Sequence, residues 1–286
     1  MAQGPTLRTT RSGRSEKSMA GKLYFVATPI GNLKDISERA IETLNMVDII
    51  LCEDTRHSLG LFNAFEIKKP LMSFHKFNYK EMHPKVINLL NEGKNIALVS
   101  DAGMPCISDP GSELIHALTQ NNIEYTIVPG ACAFVSAFAL SGMSAPFTFV
   151  GFLPDNKKER KALLEEYKNY KSTLIFYISP HSLKTDVADL FKALGERQAV
   201  SVREITKIHE EIEHFNLKDG YPKEPKGEYV LVVEGNKEQQ ENTLLSLTIE
   251  EHFNHYINNG LTKQEAIKQV AKDRNVPKNE IYKQFV

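Results

Sequence analysis

The sequence is short of three things, and each shortage narrows what it can be. Its three cysteines, Cys52, Cys106 and Cys132, form no Cys-x-x-Cys pair and accompany no histidines at metal-ligand spacing. A disulfide framework or a zinc site therefore has nothing to build on, and the three read as reduced core or cleft thiols with no metal assigned. No apolar run approaches the roughly 20 residues of a membrane-spanning helix, and the N-terminus lacks the apolar core of a secretory signal. The expectation is a cytoplasmic protein with no membrane partner. Neither sign of charge prevails: 35 Lys and Arg stand against 36 Asp and Glu, a net charge of −1. That balance argues against a protein gripping nucleic acid through one large basic surface, so any RNA contact must be local.

What is present is enough apolar residue for two cores, 41 % of 286 residues. Residues 1–20 read as a disordered or appended tail. Their Arg8, Arg11, Arg14 and Lys17 against Glu16 carry +3, which leaves the remainder at −4. Met19 offers a second start, and the Arg/Ser-rich composition keeps a transit peptide open as the competing reading. From Lys22 strands alternate with helices. Leu23–Ala27, Ile49–Cys52, Leu71–Phe74, Ile96–Ser100 and Tyr125–Val128 read as buried strands, with helices including Pro84–Asn91 and Glu113–Thr119 between them. Asp35 with Glu38 resembles a helix-opening pair. This rhythm predicts a largely parallel sheet with helices on both faces over residues 21–145.

Ala131–Gly142 reads as a buried helix and the segment near Ser144–Pro146 as a boundary. A second α/β domain over 146–238 would hold strands Phe147–Phe152, Leu174–Ile178, Ala199–Arg203 and Glu228–Glu234 and a charged helix over Lys157–Tyr170. Residues 239–286 read as a small helix-turn-helix-like unit. There Thr262 and Glu265 match a capping box, and Pro277 suits a first helical turn.

Three strand ends carry chemistry. Thr28-Pro29-Ile30-Gly31-Asn32-Leu33 turns sharply at the carboxyl end of the first strand, where α/β proteins bind ligands, although an ordinary strand-to-helix turn would look the same. Ser100–Gly111 packs Asp101 and Asp109 between two Pro/Gly turns, more acid and rigidity than a bland loop needs. Pro129-Gly130-Ala131-Cys132 opens the next helix with small residues, which lets a ligand approach the backbone.

These segments, with Cys52-Glu53-Asp54-Thr55-Arg56-His57, Gly151-Phe152-Leu153-Pro154, Ser179-Pro180-His181 and Arg203-Glu204-Ile205-Thr206-Lys207, stand in an order that resembles the ribosomal RNA small-subunit methyltransferase I family, a branch of the tetrapyrrole methylase superfamily. The likeness covers roughly Lys22 to Gly235 and extends to the helical tail. It implies a tetrapyrrole-methylase-like, two-domain α/β fold with S-adenosyl-L-methionine in an interdomain cleft, a small helical C-terminal domain and a homodimer. The implied activity is 2′-O-methylation of a cytidine ribose in 16S ribosomal RNA, within the small ribosomal subunit. Cofactor positions carried over by the resemblance are Pro29, Asp101, Gly103, Ile107, Ala131, Cys132, Ile178 and Leu231. The chain departs from the family pattern at Met104, Cys106, Asp155, Ile178 and Ser182.

A ribose hydroxyl is a weak nucleophile whose proton needs an acceptor, and Glu53, Asp54, Asp101, Asp109, His181 and Glu204 are the candidates. Asp54, Arg56, His181 and Glu204 are the residues assigned to catalysis, each with a plain alternative: an ion pair for Asp54 and Arg56, a helix cap for His181, a surface pair with Lys207 for Glu204. Lys157, Lys158, Arg160 and Lys161 form the best local basic patch for RNA phosphate, although lysine-rich helix faces are usually just solvated. Methylation of a tetrapyrrole or other small molecule on the same fold, or a ribosome-binding factor that has lost catalysis, are the alternatives.

Overall fold

Alternate residues of five short strands point to opposite sides, and this two-residue period builds the first unit. The computed structural model describes residues 20–107, 111–237 and 243–285. Residues 1–19 of the expected 1–20 tail, and Asp109, lie outside them. Strands β1 (Leu23–Val26), β2 (Ile49–Cys52), β3 (Leu71–Ser73), β4 (Ile96–Leu98) and β5 (Tyr125–Val128) pair in the order β3-β2-β4-β1-β5, all parallel. Helices α1 (Glu38–Met46), α2 (Thr55–Ala64), α3 (Tyr79–Asn91) and α4 (Ser112–Gln120) connect them. Leu23, Phe25, Leu51, Ile96 and Leu98 meet α3 and α4 in one core; Val26, Ile50, Cys52, Ala97 and Val99 meet α1 and α2 in another.

Two helix starts differ from expectation. Ser37, with extended backbone, caps α1 by accepting from the Ala40 amide at 3.1 Å, while Asp35 ends a short 3-10 turn. Helix α3 begins five residues before Pro84, so the proline sits inside it and forfeits one i→i−4 hydrogen bond.

The second sheet comprises β6 (Phe147–Phe152), β7 (Thr173–Ile178), β8 (Gln198–Arg203), β9 (Glu211–Asn216) and β10 (Tyr229–Val233), ordered β6-β7-β10-β8-β9. Only the β6–β7 pair is parallel. Helices α6 (Lys157–Tyr167) and α7 (Leu183–Leu194) cover one face through Leu164, Leu183, Val187 and Leu190. Helix α5 (Ala133–Ser141) covers the other: Ala137 and Phe134 pack on Ile175, Val200, Val202 and Val230. The change of core therefore precedes the expected 145/146 boundary, between β5 and α5, because the apolar face of α5 is buried by the sheet that follows it.

In the C-terminal unit, α8 (Thr243–Ser246) leads to α9 (Ile249–Asn258), α10 (Lys263–Asp273) and α11 (Lys278–Tyr282), which enclose Phe253, Ile267, Val270 and Ile281. Thr262 and Glu265 form the expected capping box, and Thr248 with Glu251 forms a second. At its centre His252 is fully buried between Asp273, 3.2 Å from Nε2, and the Arg274 Nε, 3.2 Å from Nδ1. A neutral ring protonated on Nε2 satisfies both contacts, since Nδ1 must accept from the guanidinium. Burial holds His252 below the ordinary histidine value. A depressed folded value means the unfolded chain takes the proton first, so the stability it confers is complete above about pH 6.5 and is lost as the pH falls through the folded value. Protection factors of the α9 and α10 amides, which correct for the intrinsic slowing of exchange in acid, are expected to fall over that acid range, and a His252→Gln variant, which cannot titrate, to flatten the dependence.

Candidate functional site

All five parallel strands of the first sheet end on one side, and their loops are stitched together there. The Thr28 amide donates to the Gly103 carbonyl at 2.9 Å, and the Gly103 amide returns a bond to the Thr28 carbonyl at 3.1 Å. Ser100 Oγ donates to the Gly103 carbonyl at 3.1 Å, and the Asp54 amide to Asp101 Oδ1 at 3.4 Å. Gly103 has φ +80°, and a Cβ there would stand 2.9 Å from Ile30 Cγ2 and 3.3 Å from the Ala131 carbonyl. Three loops thus meet at backbone distance where only glycine fits.

Between this edge and the second sheet lies a cavity of about 510 Å³. The first unit lines it with Ile30, Glu53, the run Asp101–Met104, Ile107, Cys132 and Ala133. The second contributes Phe152, Tyr177, Ile178, Ser179, Pro180, Val202, Glu204, Ile205, Lys207 and Glu228–Val230. Burial raises the Cys132 thiol, which keeps it neutral. Four carboxylates, Glu53, Asp101, Glu204 and Glu228, face one ammonium, Lys207, so the lining is net acidic.

That ammonium is held by two of the four carboxylates. Lys207 Nζ donates to Glu204 Oε1 at 3.1 Å and to Glu228 Oε2 at 2.7 Å, and the Glu228 amide donates to Glu204 Oε1 at 2.8 Å. Burial works against the Glu204 charge, but the Glu228 amide and the Lys207 ammonium outweigh it and hold the carboxyl below the ordinary glutamate value. Glu204 and Thr206 both have positive φ, +50° and +67°, a costly conformation for residues with side chains. What secures it spans both units: the Thr206 hydroxyl donates to Asp35, and the Lys207 stem lies over Gly31, where an added Cβ would meet it at 2.4 Å.

Five of the eight expected cofactor positions, Asp101, Gly103, Ile107, Cys132 and Ile178, line the cavity. Pro29 is buried one residue short of Ile30, and Ala131 contributes its carbonyl beside Gly103. Leu231 turns the other way, into the α6/α7 core, because Val230 beside it takes the cavity face. Among the catalytic assignments only Glu204 is part of the lining. Asp54 caps α2, accepting from the Arg56 amide at 2.9 Å, and that bond with the arginine's charge lowers its carboxyl. The Arg56 side chain is 89 % exposed, and His181 is exposed just past Pro180. Glu53, one residue before Asp54, is what the strand period turns inward. Lys207, Glu228, Phe152 and Tyr177 escaped the sequence reading as lining residues; the shared face of Tyr177, Val202 and Val230 on neighbouring strands was the available signal.

The basic patch needs correction. Lys157, Lys158 and Lys161 are exposed on α6, but Arg160 is buried, bonded to Asp186 at 2.8 Å, Asp189 at 3.1 Å and the Pro154 carbonyl at 2.9 Å. It ties α6 to α7. Burial raises Asp186 even beside that cation, so removing the guanidinium would strand a carboxylate in the interior. Arg160→Ala is expected to lower unfolding free energy by about 3–5 kcal/mol in urea titrations, and Lys158→Ala to stay within about 0.5 kcal/mol of the parent.

Comparison with known proteins follows the same lines. Residues 22–219 match the Tetrapyrrole (Corrin/Porphyrin) Methylases. A curated relative from Halalkalibacterium halodurans, named ribosomal RNA small subunit methyltransferase I, is 46 % identical over 281 residues, covering 96 % of this chain and 97 % of the relative. Among solved structures, the methyltransferase CobJ superposes with a TM-score of 0.60 at 17 % identity, over 76 % of this chain and 95 % of its own. A uroporphyrin-III C-methyltransferase from Thermus thermophilus, solved with S-adenyl homocysteine, gives 0.51 at 16 % identity over 75 % and 97 %. These two share the fold. Matched along nearly its whole length, the chain belongs to the ribosomal RNA small subunit methyltransferase I family, within the tetrapyrrole methylases.

Proposed function

We propose that this protein transfers a methyl group from S-adenosyl-L-methionine to the 2′-hydroxyl of a cytidine in 16S ribosomal RNA. The observation that carries the reading is an acid-lined cavity at the carboxyl edge of a parallel sheet, in a chain whose relatives are named for ribosomal RNA methylation. The cofactor suits the residues present. A volume of about 510 Å³ is in the range of small-molecule sites. Gly103 opens backbone space that any side chain would fill, and the acidic lining favours a cation. When bound, the cofactor supplies a methyl carbon on a positively charged sulfonium, ready for in-line displacement.

The protein's residues then have two tasks, alignment and proton acceptance. Asp101, Gly103, Ile107, Cys132 and Ile178 shape the cofactor's wall, while Pro29, Ala131 and Leu231 support it from behind. Glu53 is the cavity carboxylate whose side chain has no hydrogen-bond partner among the described residues, which leaves it free to take the 2′-hydroxyl proton. Glu204, committed to Lys207 and the Glu228 amide, positions the opposite wall. Asp54 and Arg56 hold the loop that presents Glu53, and His181 with Lys157, Lys158 and Lys161 offers donors to RNA phosphate outside the cavity.

The substrate would be the assembled small subunit in the cytoplasm; among the described residues no helix is long and apolar enough to cross a membrane. A homodimer is part of the reading, supported by apolar groups left uncovered on β5, α5 and β6: Tyr125, Ile127, Val135, Leu140 and Phe147. Functional domains over 21–145, 146–238 and 239–286 complete it.

Incubating the protein with methyl-labelled cofactor and undermethylated small subunits, then mapping the label by nuclease digestion and mass spectrometry, tests the reading. Label on one cytidine ribose is the expected result; transfer to a small molecule alone, or to nothing, would sink it. Asp101→Ala is expected to weaken cofactor binding roughly tenfold or more in calorimetry, as the loss of a charged hydrogen-bonding group.

A further inference from the structure

Strand β3 is followed by the loop His75-Lys76-Phe77-Asn78 and by Tyr79 and Lys80 at the start of α3, a segment to which the proposed reaction assigns nothing. Phe77 is 85 % exposed, the most solvent-facing aromatic ring among the described residues. Lys76 Nζ lies 5.1 Å from its ring centroid and the His75 ring 6.0 Å away, edge-on. The loop beneath is pinned: the His75 amide donates to Asn78 Oδ1 at 2.9 Å, Asn78 Nδ2 to the Ser73 carbonyl at 3.0 Å and the Phe77 amide to His75 Nδ1 at 3.2 Å. Such bonding displays the ring on a fixed base.

The loop also adjoins the cavity. Ser73 Oγ donates to the Glu53 carbonyl at 3.3 Å, and the Phe74 amide to that of Cys52 at 2.9 Å. Lys76, Lys80 and Arg56 are exposed cations of this edge, against Asp54 and Glu81. A protein-binding core would be depleted of charge around its aromatic anchor. Cations interleaved with an exposed ring instead match single-stranded nucleic acid, whose unstacked bases offer a face to stack and whose phosphates track alongside.

We propose that Phe77 is a base-stacking platform for single-stranded RNA leading to the cavity, with Lys76, Lys80 and Arg56 taking its phosphates. The inference rests on the RNA-methylation reading and adds the surface that receives the strand. It assigns recognition to the loop after β3, beside the Glu53 wall of the cavity.

The test uses the full chain and a fluorescein-labelled single-stranded oligoribonucleotide of roughly 12 nucleotides, within the span of known single-strand sites. Phe77→Ala is expected to weaken binding about tenfold by anisotropy, Phe77→Tyr to restore it, and the Lys76→Ala/Lys80→Ala pair to reduce the salt slope by about 1.4. Cofactor affinity should not change in any of them, which checks folding. The sequence contains no tryptophan, so Phe77→Trp introduces a single reporter whose emission should fall as a base stacks on it. Wild-type affinity in Phe77→Ala, or undimmed emission from Phe77→Trp with RNA bound, overturns the proposal. If that happens while the parent still methylates small subunits, the loop assignment alone is wrong; a parent that transfers no methyl to RNA overturns the reading beneath it.

Discussion

The structure depends on one seam, the contact between the Arg203–Lys207 turn of the second sheet and the Ile30–Asp35 turn of the first. Lys207 reaches across with its stem on Gly31, Thr206 bonds Asp35, and Glu204 and Glu228 grip the ammonium from behind. Two residues with side chains accept left-handed backbone to make this possible, at a cost on the order of 1–3 kcal/mol each. The surrounding bonds offset it. With α5, which runs from the first sheet onto the second, the seam holds together the two walls from which the cavity takes its lining.

Electrostatics sets an acidic cavity against cations that lie outside its lining. A ligand carrying a sulfonium is attracted inward by Glu53 and Asp101, while a polyanion is repelled by the same groups and must be held outside them. The exposed cations Arg56, Lys76 and Lys80 of the first unit and Lys157, Lys158 and Lys161 of the second are not part of the cavity lining. A net charge of −1 is then no obstacle to RNA binding, since what counts over a Debye length of about 8 Å is the local field.

How far the sequence discloses all this depends on whether the information is local. The parallel sheet was legible because Leu23–Val26, Ile49–Cys52 and Ile96–Leu98 are buried apolar runs with turns at fixed ends, and the Asp101–Ile107 wall because one contiguous loop supplies it. Strand β9 was missed since Glu211, Glu213 and His214 give an edge strand the polar look of a loop. Arg160 misled for the complementary reason: its neighbours in sequence are exposed lysines, whereas its partners, Asp186 and Asp189, lie one helix later. Periodicity on α6 could have hinted at it, because Arg160 and Leu164 are four apart on the buried face.

The same distinction explains why the site's acids were harder to rank than its turns. Glu53 and Asp54 are adjacent, and composition gives no reason to prefer either. Strand geometry does: the residue that follows Cys52 turns toward the cavity, and the next becomes an N-cap whose carboxylate must face the amides of α2 to close the helix end. The amides at a helix start favour the ionised form of a capping acid, and the Arg56 amide and charge lower Asp54 in this way. Glu204 is engaged in a parallel way, its carboxylate accepting from Lys207 and the Glu228 amide. Among the described carboxylates that line the cavity, Glu53 is the one whose side chain accepts no hydrogen bond, and the proposed reaction gives it the proton for that reason.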